Sequence, residues 1–568
     1  MLALDLVDVF MEADTKQCEY EKHAQERTAL TEAILNSDAA KKLIVAGPGT
    51  GKSFLFQQIC KRKVKKGESK IIALSFINEL VDDLSRDLHQ LAEVKTLHSF
   101  ALSRIPGDKN VFLELGSVIK RDYDIAFGDD VDYNSIFCNL IDAEEELKFY
   151  SNRRKYYNFF SPNCSVYTLI KIFEHDERKV PEYSQILIDE FQDFNKLESR
   201  LLSFLTKRSP VVIVGDDDQS LYDFKYAEPA DIRNKQSSGE FETFGLPYCD
   251  RCTNVIINAY EKLIEVAQSK GYLRERVTKE YLYFPSEQKD SCSEAHPRIA
   301  VKRNVFQSVI AYNIEAEIET LFDPRASHLP TVLIICPYRI QIELVEKGLR
   351  ARGFKNIDAS QKYEHDIIME GFNLLLKNNS CNLAWRVLFE AECNRIGASE
   401  RFEQVMKESV NSDTPFMNLL TVDERKTIKS VNAALRKIKD GKVVDDATMA
   451  EVFAVLGYNP VEIAQSKIRD ELAQKSAKKN IYKNTPIKIV TVLGSKGLTR
   501  DYAFLVNFDD RFLLDRNADS SMKITDDSIC RFLVALTRAR ERVCIYTSKN
   551  VYPTYVEWIA DGFIDDCT

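Results

Sequence analysis

A glycine-rich stretch near the amino end of the chain constrains its fold more than any other feature. The stretch reads Ala46-Gly47-Pro48-Gly49-Thr50-Gly51-Lys52-Ser53, and it follows an apolar run and precedes a helical pattern. In that context glycines let backbone N–H groups converge on phosphate oxygens at the start of a helix. Lys52 would add a charge for the phosphates, and the Ser53 hydroxyl would offer a ligand to Mg²⁺. The flanking strand and helix patterns disfavour the alternative, a Gly-rich turn without a ligand.

Short apolar runs rich in Ile, Val and Leu predict an α/β fold with parallel sheets. They lie at 42–46, 70–76, 185–188, 211–214, 331–335, 488–492, 502–506 and 543–546, and helical patterns separate most of them. This alternation is typical of buried parallel strands with helices on both faces. The strand signal is lost at 99–180 and at 363–480, where helix formers and aromatic residues dominate. We therefore predict two α/β units, each interrupted by an α-helical insertion.

The length of 568 residues corresponds to about four domains at roughly 150 residues each. We predict a first α/β domain at 1–98 and 185–265 with a helical insertion at 99–184. The second α/β domain would span 266–360 and 487–568, with its insertion at 361–486.

Composition limits the compartment and the class of partner. The sequence has no apolar stretch that could span a bilayer and no signal-peptide pattern at 1–12, and its 13 cysteines suit reduced thiols, so we expect a cytoplasmic protein without a membrane partner. The net charge of −9 argues against a globally basic nucleic-acid binder and leaves a local basic groove open.

A second motif supplies the carboxylates that a phosphate-binding loop needs for hydrolysis. Ile186-Leu187-Ile188-Asp189-Glu190-Phe191-Gln192-Asp193 ends an apolar run, at the edge of a parallel sheet where ligands bind. Asp189 would reach Mg²⁺ through a water, and Glu190 would be the general base that prepares the attacking water. The alternative is an acidic turn after a buried strand.

Six further segments appear in an order that characterises one family. They are Ser75-Phe76-Ile77-Asn78, Thr96-Leu97-His98-Ser99-Phe100, Val214-Gly215-Asp216-Asp217-Asp218-Gln219-Ser220-Leu221-Tyr222-Asp223-Phe224, Pro337-Tyr338-Arg339, Val492-Leu493-Gly494-Ser495-Lys496-Gly497-Leu498 and Val534-Ala535-Leu536-Thr537-Arg538-Ala539-Arg540. With the two motifs above, the chain resembles the UvrD/Rep/PcrA group of superfamily 1A DNA helicases from about residue 25 to residue 546. The resemblance implies two RecA-like P-loop domains.

The resemblance also implies ATP and Mg²⁺ as cofactors. Gln219 would sense the γ-phosphate, and Arg251 and Arg538 would neutralise charge on the transferred phosphoryl group. Gln25, in an Ala24-Gln25-Glu26-Arg27 context, is the candidate adenine reader. The implied catalytic set is Lys52, Asp189, Glu190, Gln219, Arg251 and Arg538.

For DNA, the resemblance implies aromatic rings on which single-stranded bases stack. Tyr222 and Phe224 match those positions, and Lys225 would contact the DNA backbone. On the first lobe the matching residues are Phe76, Asn78, His98 and Ser99. The alternative for both rings is core packing. The basic and aromatic run at 153–157 either extends the DNA path or belongs to an ordinary amphipathic helix.

The chain departs from the family pattern beside the first arginine. Where Asn-Tyr-Arg-Ser is usual, this sequence reads Cys249-Asp250-Arg251-Cys252, so the ring that stacks on adenine is absent and the choice between ATP and another nucleoside triphosphate stays open. Cys249 and Cys252 also form an isolated CxxC, for which no second pair at zinc-like spacing lies nearby.

The functional expectation is an ATP-dependent translocase or helicase acting 3′ to 5′ on single-stranded or tailed duplex DNA. A second hypothesis is a DNA- or nucleotide-sensing ATPase subunit that activates a partner nuclease in bacterial antiviral defence, as in Gabija-type systems. A non-hydrolysing scaffold would have lost a catalytic group, and the sequence retains all six.

Overall fold

Two parallel β-sheets organise the molecule. The computed structural model describes residues 2–75, 78–107, 109–221, 226–322, 329–359, 367–457 and 481–567, and the side chains of all of these except 2–17 and 78–80. The strands of the first sheet are β1 (Lys41–Ala46), β2 (Ile71–Ser75), β3 (Glu93–Thr96), β4 (Gln185–Ile188), β5 (Val211–Gly215) and β6 (Glu242–Leu246). All neighbours are parallel in the order β3-β2-β4-β5-β1-β6.

Ten helices accompany the first sheet in the part of the chain that the structure describes up to residue 246. They are α1 (Leu2–Asn36), α2 (Lys52–Lys65), α3 (Asn78–Asp87), α4 (Leu97–Arg104), α5 (Leu115–Phe127), α6 (Tyr133–Cys138), α7 (Glu144–Tyr157), α8 (Pro162–His175), α9 (Lys196–Thr206) and α10 (Ala230–Ser237). Helices α5 to α8 form the first helical insertion, between β3 and β4. We call the first sheet and its flanking helices the first lobe.

The second sheet defines a second lobe. After the short parallel pair β7 (Tyr248–Cys249) and β8 (Leu282–Tyr283), the strands are β9 (Ile299–Lys302), β10 (Val332–Cys336), β11 (Ile357–Asp358), β12 (Ile487–Thr491), β13 (Arg500–Val506), β14 (Asp515–Arg516), β15 (Met522–Lys523), β16 (Ala539–Tyr546) and β17 (Ile564–Asp566). The sheet order is β11-β12-β10-β13-β16-β9-β17, with all pairs parallel, and β14 and β15 form a separate hairpin.

The remaining helices follow the same alternation. They are α11 (Asn254–Ser269), α12 (Glu287–Ala295), α13 (Ile310–Leu321), α14 (Arg339–Ala351), α15 (Ile367–Lys377), α16 (Asn382–Ile396), α17 (Ser399–Val410), α18 (Lys426–Lys439), α19 (Asp446–Leu456), α20 (Asp510–Leu513), α21 (Asp526–Leu536), α22 (Thr554–Trp558) and α23 (Ala560–Phe563). Helices α15 to α19 form the second helical insertion. None of the helices that the structure describes has the length and apolar character of a bilayer span.

The predicted fold class is confirmed, because both sheets are parallel and each is interrupted by helices. The edge strands β3 and β6 were not predicted from the sequence. Each has exposed polar residues along one part of its length, Glu93 in β3 and Glu242 in β6, so neither gives the continuous apolar run of a buried strand. The four domain boundaries stay predictions.

One continuous apolar core links the first lobe to both insertions. Buried side chains of the first sheet, such as Ile72 and Ile188, belong to the same cluster as Phe112 and Tyr150 of the first insertion and Trp385 of the second. Helix α11 instead packs with α21 and α22 in the core of the second lobe. The insertions are therefore packed against one another as well as against the first sheet.

Candidate nucleotide-binding site

The ends of three neighbouring strands bring the predicted phosphate and acidic motifs together. Strands β4, β5 and β1 are adjacent in the first sheet, and their carboxyl ends lead into residues 189–193, 216–219 and 47–52. Parallel strands place these loops at one edge, where ligands of open α/β sheets bind. Sheet topology thus brings the loop at 47–52 together with two segments that follow it by more than a hundred residues.

The glycines of the phosphate-binding loop are required by its geometry. Gly49 and Gly51 have left-handed backbones, with φ of 73° and 87°, which favour glycine over residues with a side chain. A Cβ on Gly49 would also lie 2.4 Å from the Cβ of Arg251. The backbone N–H of Asp250 donates to the Gly49 carbonyl at 2.8 Å. The loop is therefore closed against the segment that carries the first predicted arginine.

Lys52 and Glu190 meet at the centre of the site. The Lys52 Nζ lies 3.2 Å from Glu190 Oε1, and Gln192 Nε2 donates to Glu190 Oε2 at 2.6 Å. Burial raises the pKa of Glu190, but Lys52 and then Lys496 outweigh burial and hold that pKa below its ordinary value. Burial, followed by the charge of Glu190, raises the pKa of the neighbouring Asp189. Glu190 is thus the carboxylate that the site keeps ionised.

Two cationic side chains of the second lobe reach into the first. Lys496 Nζ lies 2.5 Å from Asp193 Oδ2 and 2.6 Å from the Gln219 carbonyl oxygen. Arg538 Nη2 donates to Gln219 Oε1 at 3.4 Å. Burial, together with the charge of Arg251, lowers the pKa of Arg538 to about 10. The site therefore lies at a seam between the lobes, and both lobes contribute charge to it.

A cavity of about 390 Å³ opens at this seam. Residues 49–53 line it together with Asp189 and Glu190, and the second lobe contributes Gly497, Thr499 and Arg540. Ser53 and Asp189 present a hydroxyl and a carboxylate in the same cavity, which is the oxygen chemistry that Mg²⁺ prefers. These donors fit the predicted metal site.

Three consecutive aspartates beside the site have a structural explanation. Asp216, Asp217 and Asp218 form the one group of three metal-ligating side chains among the described residues. Lys279 contacts all three carboxylates, and Arg276 binds Asp218 through Nε at 2.9 Å and Nη2 at 2.6 Å. The negative charge is balanced by protein cations. Cys249 and Cys252 of the CxxC are buried free thiols.

The structure thus brings together the six side chains of the implied catalytic set. The cavity contacts five of the predicted nucleotide-binding residues, Gly49, Thr50, Gly51, Lys52 and Ser53, and also Arg251. Ala46, Gly47 and Pro48 complete the strand and turn before them. Gln25 is exposed on α1 and does not line the cavity, so its role as adenine reader stays a prediction.

The predicted DNA-binding residues are described only in part. Phe76, Tyr222, Phe224 and Lys225 lie outside the described residues, as does the side chain of Asn78. His98 and Ser99 lie in the first turn of α4, where the backbone N–H of Ser99 donates to Thr96 Oγ1 at 3.1 Å.

The basic run at 153–157 is part of the interface between the insertions. Arg153 is buried and pairs with Asp122 at 3.1 Å, and Tyr156 donates its hydroxyl hydrogen to the Thr414 carbonyl at 2.8 Å. This geometry matches the interpretation as an ordinary amphipathic helix.

Two contributors to the site were not assigned from the sequence. Lys496 lies in the segment 492–498, one of the segments on which the family resemblance rests. Its place in that segment was the sequence signal that could have identified it as a site residue. Tyr281 had no sequence signal, and its buried hydroxyl donates to the Pro48 carbonyl at 2.7 Å and contacts Cys249 Sγ at 3.1 Å. Tyr281 therefore supports the phosphate-binding loop from the connector between the lobes.

Comparison with known proteins agrees with this geometry. An AAA-domain family model matches residues 29–225. DNA helicase II of Haemophilus influenzae is 38% identical over 104 residues, which cover 17% of this chain and 14% of that protein. The exonuclease/helicase subunit RexA of Lactococcus lactis is 27% identical over 182 residues, or 31% of this chain and 14% of RexA. A probable DNA helicase II homolog of Mycoplasma genitalium is 25% identical over 237 residues, or 36% and 33%.

The aligned regions cover a third or less of these relatives. The span of the family model contains both the phosphate-binding motif and its acidic partner. Over these regions the chain is similar to proteins named DNA helicase II and to an exonuclease/helicase subunit, in agreement with its two parallel sheets and the seam between them.

Proposed function

We propose that the chain hydrolyses ATP at the seam between its lobes and uses the reaction to move 3′ to 5′ along single-stranded DNA. The observation that carries this proposal is the reach of Lys496 and Arg538 to Asp193 and Gln219 of the first lobe. A site built by both lobes couples the chemistry at the phosphate to the distance between the lobes. Repeated closing and opening of such a seam is a means of stepping along a strand.

Each side chain has a role that its position supports. Lys52 would bind the β- and γ-phosphates, and ionised Glu190 would accept the proton of the attacking water. Gln219 would contact the γ-phosphate, and Arg538 and Arg251 would stabilise negative charge as it develops. Mg²⁺, held by Ser53 and Asp189, would add further compensation of the phosphate charge when bound.

The proposed DNA path uses the residues that the resemblance indicates. Tyr222 and Phe224 would stack on bases, and Lys225 would contact a phosphate, at about 1–3 kcal/mol for each stacked base. Phe76, Asn78, His98 and Ser99 would continue the path on the first lobe. Stacking accepts every base, which suits a motor that moves without regard to sequence.

An ATPase assay with and without single-stranded DNA tests the proposal. We expect strong stimulation by oligo(dT), and displacement of streptavidin from the 5′ end but not from the 3′ end of a biotinylated strand. The Phe224→Ala variant should bind the strand about tenfold more weakly and still bind nucleotide. Phe306→Ala, which removes a 61% exposed ring outside the proposed path, is the control. Hydrolysis that ignores DNA would contradict the translocase.

A second function has specific support from the relatives. One relative is named an exonuclease/helicase subunit, and another is the RecB subunit of a RecBCD enzyme, from Chlamydia pneumoniae. This chain would then be a DNA- or nucleotide-sensing ATPase subunit that activates a partner nuclease, with bacterial antiviral defence as the setting. DNA-stimulated hydrolysis without separation of a 3′-tailed duplex by the purified chain would favour this function over the helicase.

A further inference from the structure

The chain between α11 and α12 contacts three parts of the nucleotide site. We call residues 276–283 of this stretch the connector segment; they include β8 and carry none of the motifs on which the family resemblance rests. Strand β8 pairs in parallel with β7, which directly precedes Asp250 and Arg251. Side chains of the same segment reach the phosphate-binding loop and the aspartates at 216–218. One short stretch therefore holds elements that are far apart in sequence.

Tyr281 of the connector segment holds the start of the phosphate-binding loop. Its hydroxyl donates to the Pro48 carbonyl at 2.7 Å, and a Cβ on Gly47 would lie 2.8 Å from its ring, so the ring packs directly on the loop. The ring also packs on Tyr260, with 4.7 Å between the ring centres, and both tyrosines are buried. The loop runs from this contact to Lys52, so Tyr281 fixes the end of the loop that is nearer to β1.

Lys279 of the same segment holds the side chain of Gln219 through a carboxylate. Its Nζ pairs with Asp216 Oδ1, and Asp216 Oδ2 accepts from Gln219 Nε2 at 2.7 Å. The oxygen of that amide, Oε1, accepts from Arg538 Nη2 at 3.4 Å. The Lys279 side chain is 5% exposed, so its charge faces Asp216 with little screening by water. The cation therefore fixes the carboxylate that orients the Gln219 amide.

The two sets of contacts meet at Asp218. The Tyr260 hydroxyl donates to Asp218 Oδ2 at 3.0 Å, and Lys279 Nζ lies 2.7 Å from the same oxygen. Arg276 of the connector segment binds this carboxylate through Nε at 2.9 Å and Nη2 at 2.6 Å. Contacts between largely buried side chains thus run without interruption from the phosphate-binding loop through the connector segment to Gln219.

We propose that Tyr281 and Lys279 are positioning residues, which hold the phosphate-binding loop and Gln219 at a fixed spacing. The two residues are separated by one position, so a single segment sets both ends of that spacing. Neither lines the cavity at the seam, so each acts through its partner and not by touching the nucleotide. A misplacement of about 1 Å can cost about 10²-fold in rate. This inference rests on the proposed hydrolysis and names residues outside the motifs that keep its site in register.

ATP hydrolysis by the full chain tests the two residues. Lys279→Met should lower kcat by about 10²-fold and change KM little, because Gln219 is proposed to act on the phosphoryl group during transfer. Tyr281→Phe removes only the hydroxyl, and it should raise KM by about threefold to tenfold, because the loop that binds the phosphates loses a hydrogen bond. The controls are two matched substitutions outside these contacts, which should leave kcat and KM unchanged. They are Tyr283→Phe, whose hydroxyl donates to Asp290 Oδ1 at 2.5 Å, and Lys302→Met, in a lysine that lies 3.4 Å from Glu317 Oε2.

A double-mutant cycle separates positioning from a general loss of structure. In a Gln219→Ala background, Lys279→Met should lower kcat by less than about twofold, because the side chain through which Lys279 acts is already absent. Lys279→Arg, which keeps the cation, should recover most of the turnover in the chain that retains Gln219. If the effects of Lys279→Met and Gln219→Ala multiply, Lys279 acts as general support and the inference is overturned.

Hydrogen exchange of the chain without nucleotide gives a readout that does not need hydrolysis. Tyr281→Phe should speed amide exchange in the loop at 49–53, and Lys279→Met in the segment at 216–219, each by about threefold or more, while exchange in β10 and β13 of the second lobe stays unchanged. Faster exchange throughout the chain would instead show a loss of global stability and would contradict a positioning role. If Lys279→Met does not fold, Tyr281→Phe decides alone, since it keeps the ring and its packing.

The results distinguish this inference from the proposed function. Absence of hydrolysis in the unaltered chain would contradict the proposed function, and locally faster exchange in the two variants would still support the positioning role. Hydrolysis with unaltered kinetics and exchange in Tyr281→Phe and Lys279→Met would overturn the positioning role alone.

Discussion

Two clusters of buried charge join parts of the chain that are far apart in sequence, and they differ in their surroundings. The seam cluster, formed by Lys52, Glu190, Asp193, Lys496 and Arg538, joins the two lobes beside an open cavity. The insertion cluster joins the two helical insertions inside their shared core, and its members are Asp122, Arg153, Tyr157 and Arg386. Both are nearly inaccessible to water.

The insertion cluster pairs one buried carboxylate with two guanidinium groups and a tyrosine hydroxyl. Asp122 accepts from Arg386 Nε at 3.0 Å, from Arg153 Nε at 3.1 Å and from the Tyr157 hydroxyl at 2.6 Å. Burial alone lowers the pKa of Arg386, but Asp122 and Glu390 outweigh it and raise that pKa above its ordinary value. The charged form is the stable form, so this cluster fixes one arrangement of the insertions.

In the seam cluster, burial and neighbouring charges shift the pKa values of two carboxyl groups in opposite directions. Burial raises the pKa of Asp193 to about 6 in spite of Lys496 beside it, while the pKa of Glu190 is held low. Titratable groups whose pKa values are driven apart in this way are typical of catalytic sites. The comparison teaches that buried charge holds the insertions together, whereas at the seam it lowers the stability of the fold. We propose that the uncompensated charge at the seam serves to bind a triphosphate.

The largest effect is expected from Arg538→Ala. Removing this guanidinium should lower ATP turnover by about 10³- to 10⁵-fold, because an arginine that completes the site stabilises the charge of the transferred phosphoryl group. ATP affinity, measured by equilibrium binding, should change little. Arg511→Ala, on an exposed arginine of the same lobe, is the control. Unchanged turnover would remove the seam from the chemistry.

Glu190→Gln should lower turnover by about 10²- to 10⁴-fold, the usual contribution of a general base. The amide keeps the shape of the side chain and its contact with Gln192 but cannot take the proton of the attacking water. Single-turnover hydrolysis with saturating ATP measures the effect, and nucleotide binding should persist. A turnover equal to that of the unaltered chain would refute Glu190 as the base.

Asp122→Ala tests the other cluster. It leaves two buried guanidinium groups without their shared carboxylate, so the free energy of unfolding of the insertions should fall by about 3–5 kcal/mol. Denaturant unfolding reports it when fluorescence is followed in a Trp558→Phe background, in which Trp385, buried in the second insertion, is the one remaining tryptophan. Asp130→Ala, at an exposed partner of Lys120, should leave the transition in place. Equal transitions in both variants would mean that the insertion cluster contributes no stability.

Asp193→Asn should produce the smallest effect, and it should raise the free energy of unfolding instead of lowering it. Because the folded-state pKa of Asp193 is raised to about 6, the folded chain keeps a proton that the unfolded chain releases as pH rises from about 4 to 6. Asp193 therefore lowers stability over that window, by about 1–3 kcal/mol at its upper end. Relative to the unaltered chain, Asp193→Asn should gain stability between pH 4 and pH 6 and hold the gain above it. Thermal unfolding across this range measures the difference, and a loss of stability would contradict it.

The sequence anticipated the parts of this molecule that depend on local pattern. The loop needs left-handed backbones at Gly49 and Gly51, and the acidic motif at Asp189 follows a buried strand. Both requirements restrict which residue types can occur there, so both motifs can be recognised in the sequence. Arg538 was found through the family resemblance, and the structure places it at the seam. The fold class followed from the apolar runs.

The other features depend on tertiary contacts, and the residues that make such contacts form no recognisable pattern in the sequence around them. The pairing of Asp122 with Arg386 joins residues 264 positions apart, and nothing in either helix identifies the partner. Tyr281 reaches Pro48 from a connector with no motif. The short strands β3 and β6 were missed because edge positions need few apolar residues.

A double-mutant cycle between Glu190 and Arg538 tests most directly whether both lobes act on one phosphoryl transfer. We expect the Glu190→Gln, Arg538→Ala double variant to hydrolyse ATP about as slowly as the slower single variant, because groups that act as a unit have strongly non-additive effects. If instead the two reductions in turnover multiply, the lobes contribute independently and hydrolysis is not carried out at the seam by both together.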